Sequence, residues 1–253
     1  MDIREYHRLA KVEDSHWWYR SVHRLVIGEV NKSFNKGWTF GGSRSDLKIP
    51  TILDAGCGTG GLTEQLSGLG ATVGIDISDL ALRLKPHSGA KYINGSVNSI
   101  PFAENSFDLI TCISVFYHRQ VSDLKAASQI FRVLNNGGRA IFIMPAFQWA
   151  FGNHDESVHA AKRYSMSEAK ALWEKTGFKI LKARYIFGIL FPEFVLKRLL
   201  DKMGVTWNRV SDLQELPKWL NGALELVTRF ENWLSKWIRL PFGSSIYIAV
   251  EKP

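Results

Sequence analysis

Apolar positions along the chain follow two rhythms. Short apolar runs at Thr51–Ala55, Ala71–Ile77, Lys91–Ile93, Phe107–Ser114 and Arg139–Met144 alternate with helix-like stretches. Such alternation predicts a mostly parallel sheet with crossover helices on both faces. Two later runs, Phe178–Phe187 and Ser245–Glu251, are separated by a stretch with no strand pattern. Within it, after Pro217, which suits a first helical position, Leu220, Ala223, Leu224, Val227, Phe230, Leu234, Trp237 and Ile238 recur at three- and four-residue steps. That period predicts a helix whose apolar side packs on the sheet domain or on a second subunit. Its opposite face carries Asn221, Glu225, Arg229, Asn232, Lys236 and Arg239. A shorter helix is expected over Ser167–Thr176.

The first 31 residues, centred on His16-Trp17-Trp18-Tyr19-Arg20, read as one or two short helices. Residues 32–48, rich in Gly, Ser, Asn and Lys, read as a loop. The expected organisation is therefore an N-terminal cap and loop over 1–48 and a sheet domain over 49–187. A helical insertion over 188–243 and a final strand over 244–253 complete it.

Composition narrows the classes. With 45% hydrophobic and 22% charged residues, 253 residues can bury one sizeable core. The formal charge of +8 would suit an anionic partner, yet the basic residues are scattered and no block of like charge occurs. No secretory pattern opens the chain, and no apolar run is long enough to span a bilayer. Cys57 and Cys112 form neither a disulfide framework nor a zinc spacing, so a cytoplasmic protein is expected, membrane-associated at most.

In Ile52-Leu53-Asp54-Ala55-Gly56-Cys57-Gly58-Thr59-Gly60-Gly61 an apolar strand enters a glycine turn, and Leu62–Leu66 continues as a helix. Glycines there allow positive φ and a close approach of ligand to backbone. The helix start offers unpaired N–H groups to an anionic group. Gly56, Gly58 and Gly61 also fit the spacing of a dinucleotide-binding turn, with Asp76 at the place of a ribose-binding acid. Asp54 separates the two readings: it can orient the turn and face an ammonium, but beside a pyrophosphate it would repel.

Three segments in order, Ile52–Gly61, Val73-Gly74-Ile75-Asp76-Ile77-Ser78 and Ile100–Ile110, resemble successive motifs of class I S-adenosyl-L-methionine-dependent methyltransferases, most closely the small-molecule branch called type 11. The resemblance covers residues 50–145. Asn135-Asn136-Gly137-Gly138 is similar to the family's turn before the fifth strand but lacks its proline. The resemblance implies a doubly wound, Rossmann-like α/β sheet of seven strands with an antiparallel last strand, an N-terminal helical lid and a helical insertion. S-adenosyl-L-methionine is the implied cofactor, held by Asp54, Gly56, Cys57 and Gly58. Asp76 would accept bonds from the ribose hydroxyls and Ile77 would pack on the adenine. Ser96, where the family usually has an Asp, and Val97 would meet the adenine edge. Ile113 ends the fourth strand beside the methionine part, and Arg20 or Arg24 would pair with its carboxylate.

Methyl transfer needs alignment more than activation, and a base only where the acceptor is protonated. His118 matches a histidine of the branch, as a shaping residue or a base. The segment Asn153-His154-Asp155-Glu156, His159, Arg163-Tyr164 resembles a stretch in a subset of the family, and makes His154 and Tyr164 candidates for positioning the acceptor or taking its proton. Its other reading is a polar turn capping the next helix. No metal is expected. Trp17 and Trp18 are either a lid or core anchors. The insertion, with Phe191, Trp207, Trp219, Trp233 and Trp237, suits a small-molecule or lipid-linked acceptor, peripheral membrane contact, or a homodimer interface. A non-catalytic cofactor-binding or assembly subunit is the alternative of a different class. A nicotinamide enzyme and a nucleic-acid methyltransferase rank below it, the latter because Ile113-Ser114-Val115-Phe116 stands where base methylation places Asp/Asn-Pro-Pro-Tyr/Phe.

Overall fold

A computed structural model describes residues 2–35, 49–84, 89–204 and 215–253. Trp207 and most of the expected 32–48 loop lie outside the described residues. Two helices, α1 (Ile3–Val12) and α2 (Trp17–Asn35), precede the sheet, so α2 runs four residues into the segment read as loop. Then follow β1 (Thr51–Ala55), α3 (Gly61–Ser67), β2 (Ala71–Asp76), α4 (Asp79–Arg83), β3 (Lys91–Asn94), β4 (Phe107–Ile113), α5 (Asp123–Val133) and β5 (Leu134–Pro145). The chain continues through α6 (Asn153–Ser157), α7 (Met166–Lys175), β6 (Lys179–Ile186), α8 (Phe191–Lys202) and α9 (Lys218–Leu234) to β7 (Ser245–Glu251).

The seven strands lie in the order β3-β2-β1-β4-β5-β7-β6. Neighbours from β3 to β5 are parallel, and β7 runs antiparallel to both β5 and β6. β7 slots between two strands made earlier, which is why the long helical segment must come before it. The order reverses between β1 and β4, and in open α/β sheets ligands bind beyond the carboxyl ends of strands at such a point.

Each face of the sheet has its own core. On one, Phe116, Ile130, Phe142, Leu172 and Trp173 join β4 and β5 to α5 and α7, with the Trp173 and Phe142 rings stacked at 3.7 Å. On the other, Val22, Val26, Val30, Leu62 and Leu66 join α2 and α3 to Ile52, Leu109, Ile141 and Tyr247. Ser165 caps α7 through a reciprocal box with Glu168, the polar stop that lets the helix begin where Met166 turns inward.

One expectation about packing is reversed in part. α9 buries Asn221 and Glu225, both expected to face outward, together with Thr228 and Glu231, and leaves Phe230, Trp237 and Ile238 exposed, while Arg229, Lys236 and Arg239 are outward as expected. Leu220, Leu224, Val227 and Leu234 are half-buried along the edge. The apolar arc of the helix is wide, and α2 meets it beyond its polar border: the Trp17 amide donates to Asn221 (2.9 Å), Ser21 and Thr228 share a 2.7 Å hydrogen bond, and Glu225 accepts from Arg24 at 2.7 Å.

Candidate functional site

The glycine turn between β1 and α3 is wound by positive φ at Gly56 (81°), Gly58 (56°) and Gly60 (87°). The amides of Gly56 and Cys57 both donate to the Ile75 carbonyl, at 2.8 and 2.9 Å, pinning the turn to β2. Asp54, buried at the end of β1, accepts from the Thr63 hydroxyl at 2.6 Å and the Thr111 hydroxyl at 2.7 Å. It thereby braces α3 against β4. Burial pushes its pKa up to about 6, against the pull of those two hydroxyls. The Cys57 thiol is raised by burial and by the Asp54 and Asp76 charges, so it stays protonated and unreactive.

Asp76 stands where β2 ends. One of its oxygens accepts from the Gly58 amide and the other from the Ser78 amide, each at 2.9 Å. Those bonds use one lone pair on each oxygen, and the carboxylate can still accept from further donors. Burial raises its pKa, offset by the Ser78 and Gly58 amides. Ile77 beside it is exposed. The Ser96 hydroxyl accepts from the Asn98 amide at 3.2 Å, and Val97 is buried. Ile113 is half-buried at the end of β4, followed by Ser114 with φ of 56°.

The N-terminal helices bring residues the sequence did not single out. α1 lies over the turn: a Cβ built on Gly58 would stand 3.4 Å from Leu9. The Glu13 carboxylate accepts from the Thr59 hydroxyl and, at 3.2 Å, from the Gly61 amide. A Cβ on Gly61 would fall 2.5 Å from that carboxyl carbon, so glycine here is the condition for Glu13 to approach. Tyr6 is raised in pKa by burial and by the charge of Asp76. These contacts span some 46–48 residues of sequence, and no local pattern announces them.

α2 behaves differently. Trp17 packs edge-on to Phe187 at 5.6 Å, and with Trp18 it joins the core on that face, so the tryptophans anchor the helix. Arg20 does not present itself as the partner of a ligand carboxylate: its guanidinium pairs with Glu225 of α9 at 3.0 Å, beside Arg24 on the other carboxylate oxygen. The buried acid turned inward by α9 draws both arginines to itself.

The segment after β5 is tied down by a buried ion pair. Arg163 donates through Nε (2.9 Å) and Nη2 (3.0 Å) to the two oxygens of Asp155, one of which also accepts from the Gly152 amide. Tyr164 is a correction: it is buried in the core, with its hydroxyl 2.9 Å from both the Phe116 carbonyl and an Asp123 oxygen. Burial and the Asp123 charge raise its pKa, so it neither reaches an acceptor nor takes a proton from one. His154 is half-buried on α6, and exposed His159 pairs with Asp2 at 3.1 Å. Among the described residues no group of three or more His, Cys, Asp or Glu is placed to hold a metal ion.

His118 lies 2.8 Å from the Val158 carbonyl through Nδ1 and stacks on Tyr117 at 4.3 Å. A carbonyl only accepts, so Nδ1 carries the proton and Nε2 the lone pair. Burial lowers its pKa to about 4, which makes it a weak base, neutral at pH 7. The unfolded chain, near 6.5, binds this proton first. Its contribution to stability is therefore full above about pH 6.5 and is lost as pH falls toward 4, up to about 3 kcal/mol. Asp54, raised rather than lowered, runs oppositely: its contribution is lost as pH rises through about 6. The difference between wild type and His118→Gln in urea melts from pH 7 to 4 isolates the histidine. A constant difference would show that His118 is not buried neutral.

Residues 53–142 match the family described as Methyltransferase domain. An uncharacterized protein of Methanocaldococcus jannaschii is 36% identical over 159 residues, 59% of this chain and 66% of that one. The sterol 24-C-methyltransferase of Pneumocystis carinii is 32% identical over 156 residues, 52% of this chain and 40% of that one. The chain thus spans between two fifths and just under two thirds of these relatives' length. A chain in the solved complex of the Haloferax volcanii Trm112 methyltransferase activator with its candidate methyltransferase has the same fold, with a TM-score of 0.58 at 16% identity over 99% of this chain and 95% of that one.

Proposed function

We propose that this chain, whose residues 53–142 match the methyltransferase-domain family and whose seven strands form a Rossmann-like sheet, is an S-adenosyl-L-methionine-dependent methyltransferase acting on a small or lipid-like acceptor. The carrying observation is the charge around the glycine turn. Glu13, Asp54 and Asp76 surround it closely enough that the first and last each raise the pKa of Asp54. Glu13 takes the Gly61 amide, at the start of α3, where a pyrophosphate would otherwise be received. An acidic cradle of this kind repels a dinucleotide and suits a ligand carrying a sulfonium and an ammonium.

The residues fit that cofactor. Asp76, held by the Gly58 and Ser78 amides, keeps acceptor capacity for a ribose diol. Leu9 of α1, and Glu13 just after that helix, cover the turn. When bound, the cofactor supplies the electrophilic methyl group. His118, neutral with Nε2 unprotonated, sits on the segment following β4 as a positioning residue that can accept a hydrogen bond from an acceptor hydroxyl. A lipid-like acceptor draws support from the sterol methyltransferase among the relatives and from the apolar insertion.

Calorimetry tests the reading. S-adenosyl-L-methionine and its demethylated product should bind, and NADH should not. Asp76→Ala should weaken the first by roughly 1.5–3 kcal/mol, the scale of hydrogen bonds to a charged group. A folded protein that binds neither sulfur nucleoside overturns the proposal, and unchanged affinity in the variant removes Asp76 from the site.

A further inference from the structure

α9 is a helix turned inside out. Its outward face carries Trp219, Leu226, Phe230 and Trp233, at 74%, 65%, 54% and 51% exposure, and Trp237 in the next turn at 65%. At about 100° per residue these five positions fall within about 60° of arc, one continuous stripe along the helix. Its inward face is polar and partnered: Glu225 is ion-paired with Arg20 and Arg24, Glu231 accepts from the Ile189 amide at 2.9 Å, and Asn232 accepts from Arg184 at 2.9 Å. Packing on α2 therefore uses the polar side and leaves the large rings in water. An exposed aromatic stripe of this length is a binding surface rather than scattered surface apolarity.

Charge says what it binds. Both acidic residues of α9, Glu225 and Glu231, are buried, while Lys218, Arg229, Lys236 and Arg239 on and just after the helix are exposed. Lys218, Arg229 and Lys236 line one flank of the stripe at the same period. What faces outward is aromatic and cationic, the character of a helix that lies in the plane of a membrane interface with tryptophans at headgroup level. Two copies pairing antiparallel through the same face would set these cationic flanks against each other, which opposes a dimer there. No helix among the described residues is long and apolar enough to cross a membrane.

We infer that the outer face of α9 docks the protein on an anionic lipid surface, with Trp219, Phe230, Trp233 and Trp237 entering the interface and Lys218, Arg229 and Lys236 meeting the headgroups. The docking does not depend on methyl transfer and is measured without it. Purified protein is sedimented with phosphatidylcholine vesicles, plain or containing about one third phosphatidylglycerol, at low and high salt. The expected result is binding to the anionic vesicles that weakens with salt. It should fall at least ten-fold in Arg229→Glu/Lys236→Glu and in Trp219→Ser/Trp233→Ser. These are surface changes, so an unchanged thermal melt checks the fold, and the charge-reversed variant carries the test should the tryptophan variant be damaged. Absence of binding to either vesicle overturns the inference. So does a size-exclusion profile showing a dimer that the tryptophan variant abolishes, since a second copy then covers the face.

Discussion

Asp155→Ala is expected to lower folding stability by about 3–5 kcal/mol, the cost of breaking a buried ion pair from one side. Asp155 and Arg163 are both nearly inaccessible, and the guanidinium is held by two parallel bonds of 2.9 and 3.0 Å. A second buried cation, Arg198, lies 4.0 Å from the same carboxylate. Removing the acid leaves buried Arg163 without its carboxylate, leaves Arg198 with Asp201 (3.5 Å) but not Asp155, and strips the Gly152 amide of its acceptor. Against a typical total stability of about 5–15 kcal/mol this is severe. Arg163→Met alone should also destabilise, whereas Asp155→Leu/Arg163→Met should recover much of the loss, because exchanging a whole buried pair for apolar groups is often neutral. Urea melts at pH 7 decide it: the midpoint should drop with an unchanged slope. A loss under 1 kcal/mol for Asp155→Ala would mean water reaches the pair. The same change should disturb His118, whose ring is held by the Val158 carbonyl just beyond α6.

That pair also marks where sequence reading stopped. The apolar runs marked the central strands because β1, β4, β7 and the second half of β5 are buried on both faces, and a continuous apolar run shows in a single segment, whereas the edge strands β3 and β6 are partly exposed. The glycine turn and Asp76 were legible for a related reason: they lie in two adjacent motifs that the fold joins directly, Gly58 amide to Asp76 carboxylate. Asp155, Arg163 and Tyr164 were visible as a polar cluster, but polarity alone cannot say whether a group meets a ligand or the protein's own interior. Tyr164 is core because the loop folds back under β4 and α5, where Asp123 and the Phe116 carbonyl wait for its hydroxyl. Arg20 likewise read as a ligand contact until α9, 201 residues or more further on, supplied Glu225 to the arginines of α2. For α9 itself, periodicity revealed an apolar arc and a polar arc. Which arc faces the protein is decided by the partner helix, and α2 offers Arg20, Ser21 and Arg24, which a polar face satisfies better.

Gly56→Ala should be the most damaging single-methyl addition in the glycine turn, costing about 2–5 kcal/mol of stability and at least ten-fold in affinity for S-adenosyl-L-methionine. Two costs add. A φ of 81° is left-handed, where a side chain costs roughly 1–2 kcal/mol. The new Cβ would also lie 2.2 Å from a methyl carbon of Val115, a distance no packing tolerates. Either the turn lifts from β2, breaking the Gly56 and Cys57 bonds to the Ile75 carbonyl, or Val115 moves and takes with it the His118 amide bonded to its carbonyl at 3.1 Å. Val115→Ala in the same chain removes the offending methyls but leaves φ unchanged. Stability measured across the four chains of that double-mutant cycle should therefore show a favourable coupling of about 1–3 kcal/mol, with a residual deficit near the backbone cost. Gly58→Ala provides the contrast. Its φ of 56° carries a similar backbone penalty, but the added Cβ would meet only Leu9 at 3.4 Å, an ordinary contact. It should lose less stability than Gly56→Ala. Equal stability losses at the two positions, or strictly additive costs in the cycle, would mean that the approach of Val115 is not what demands glycine at 56.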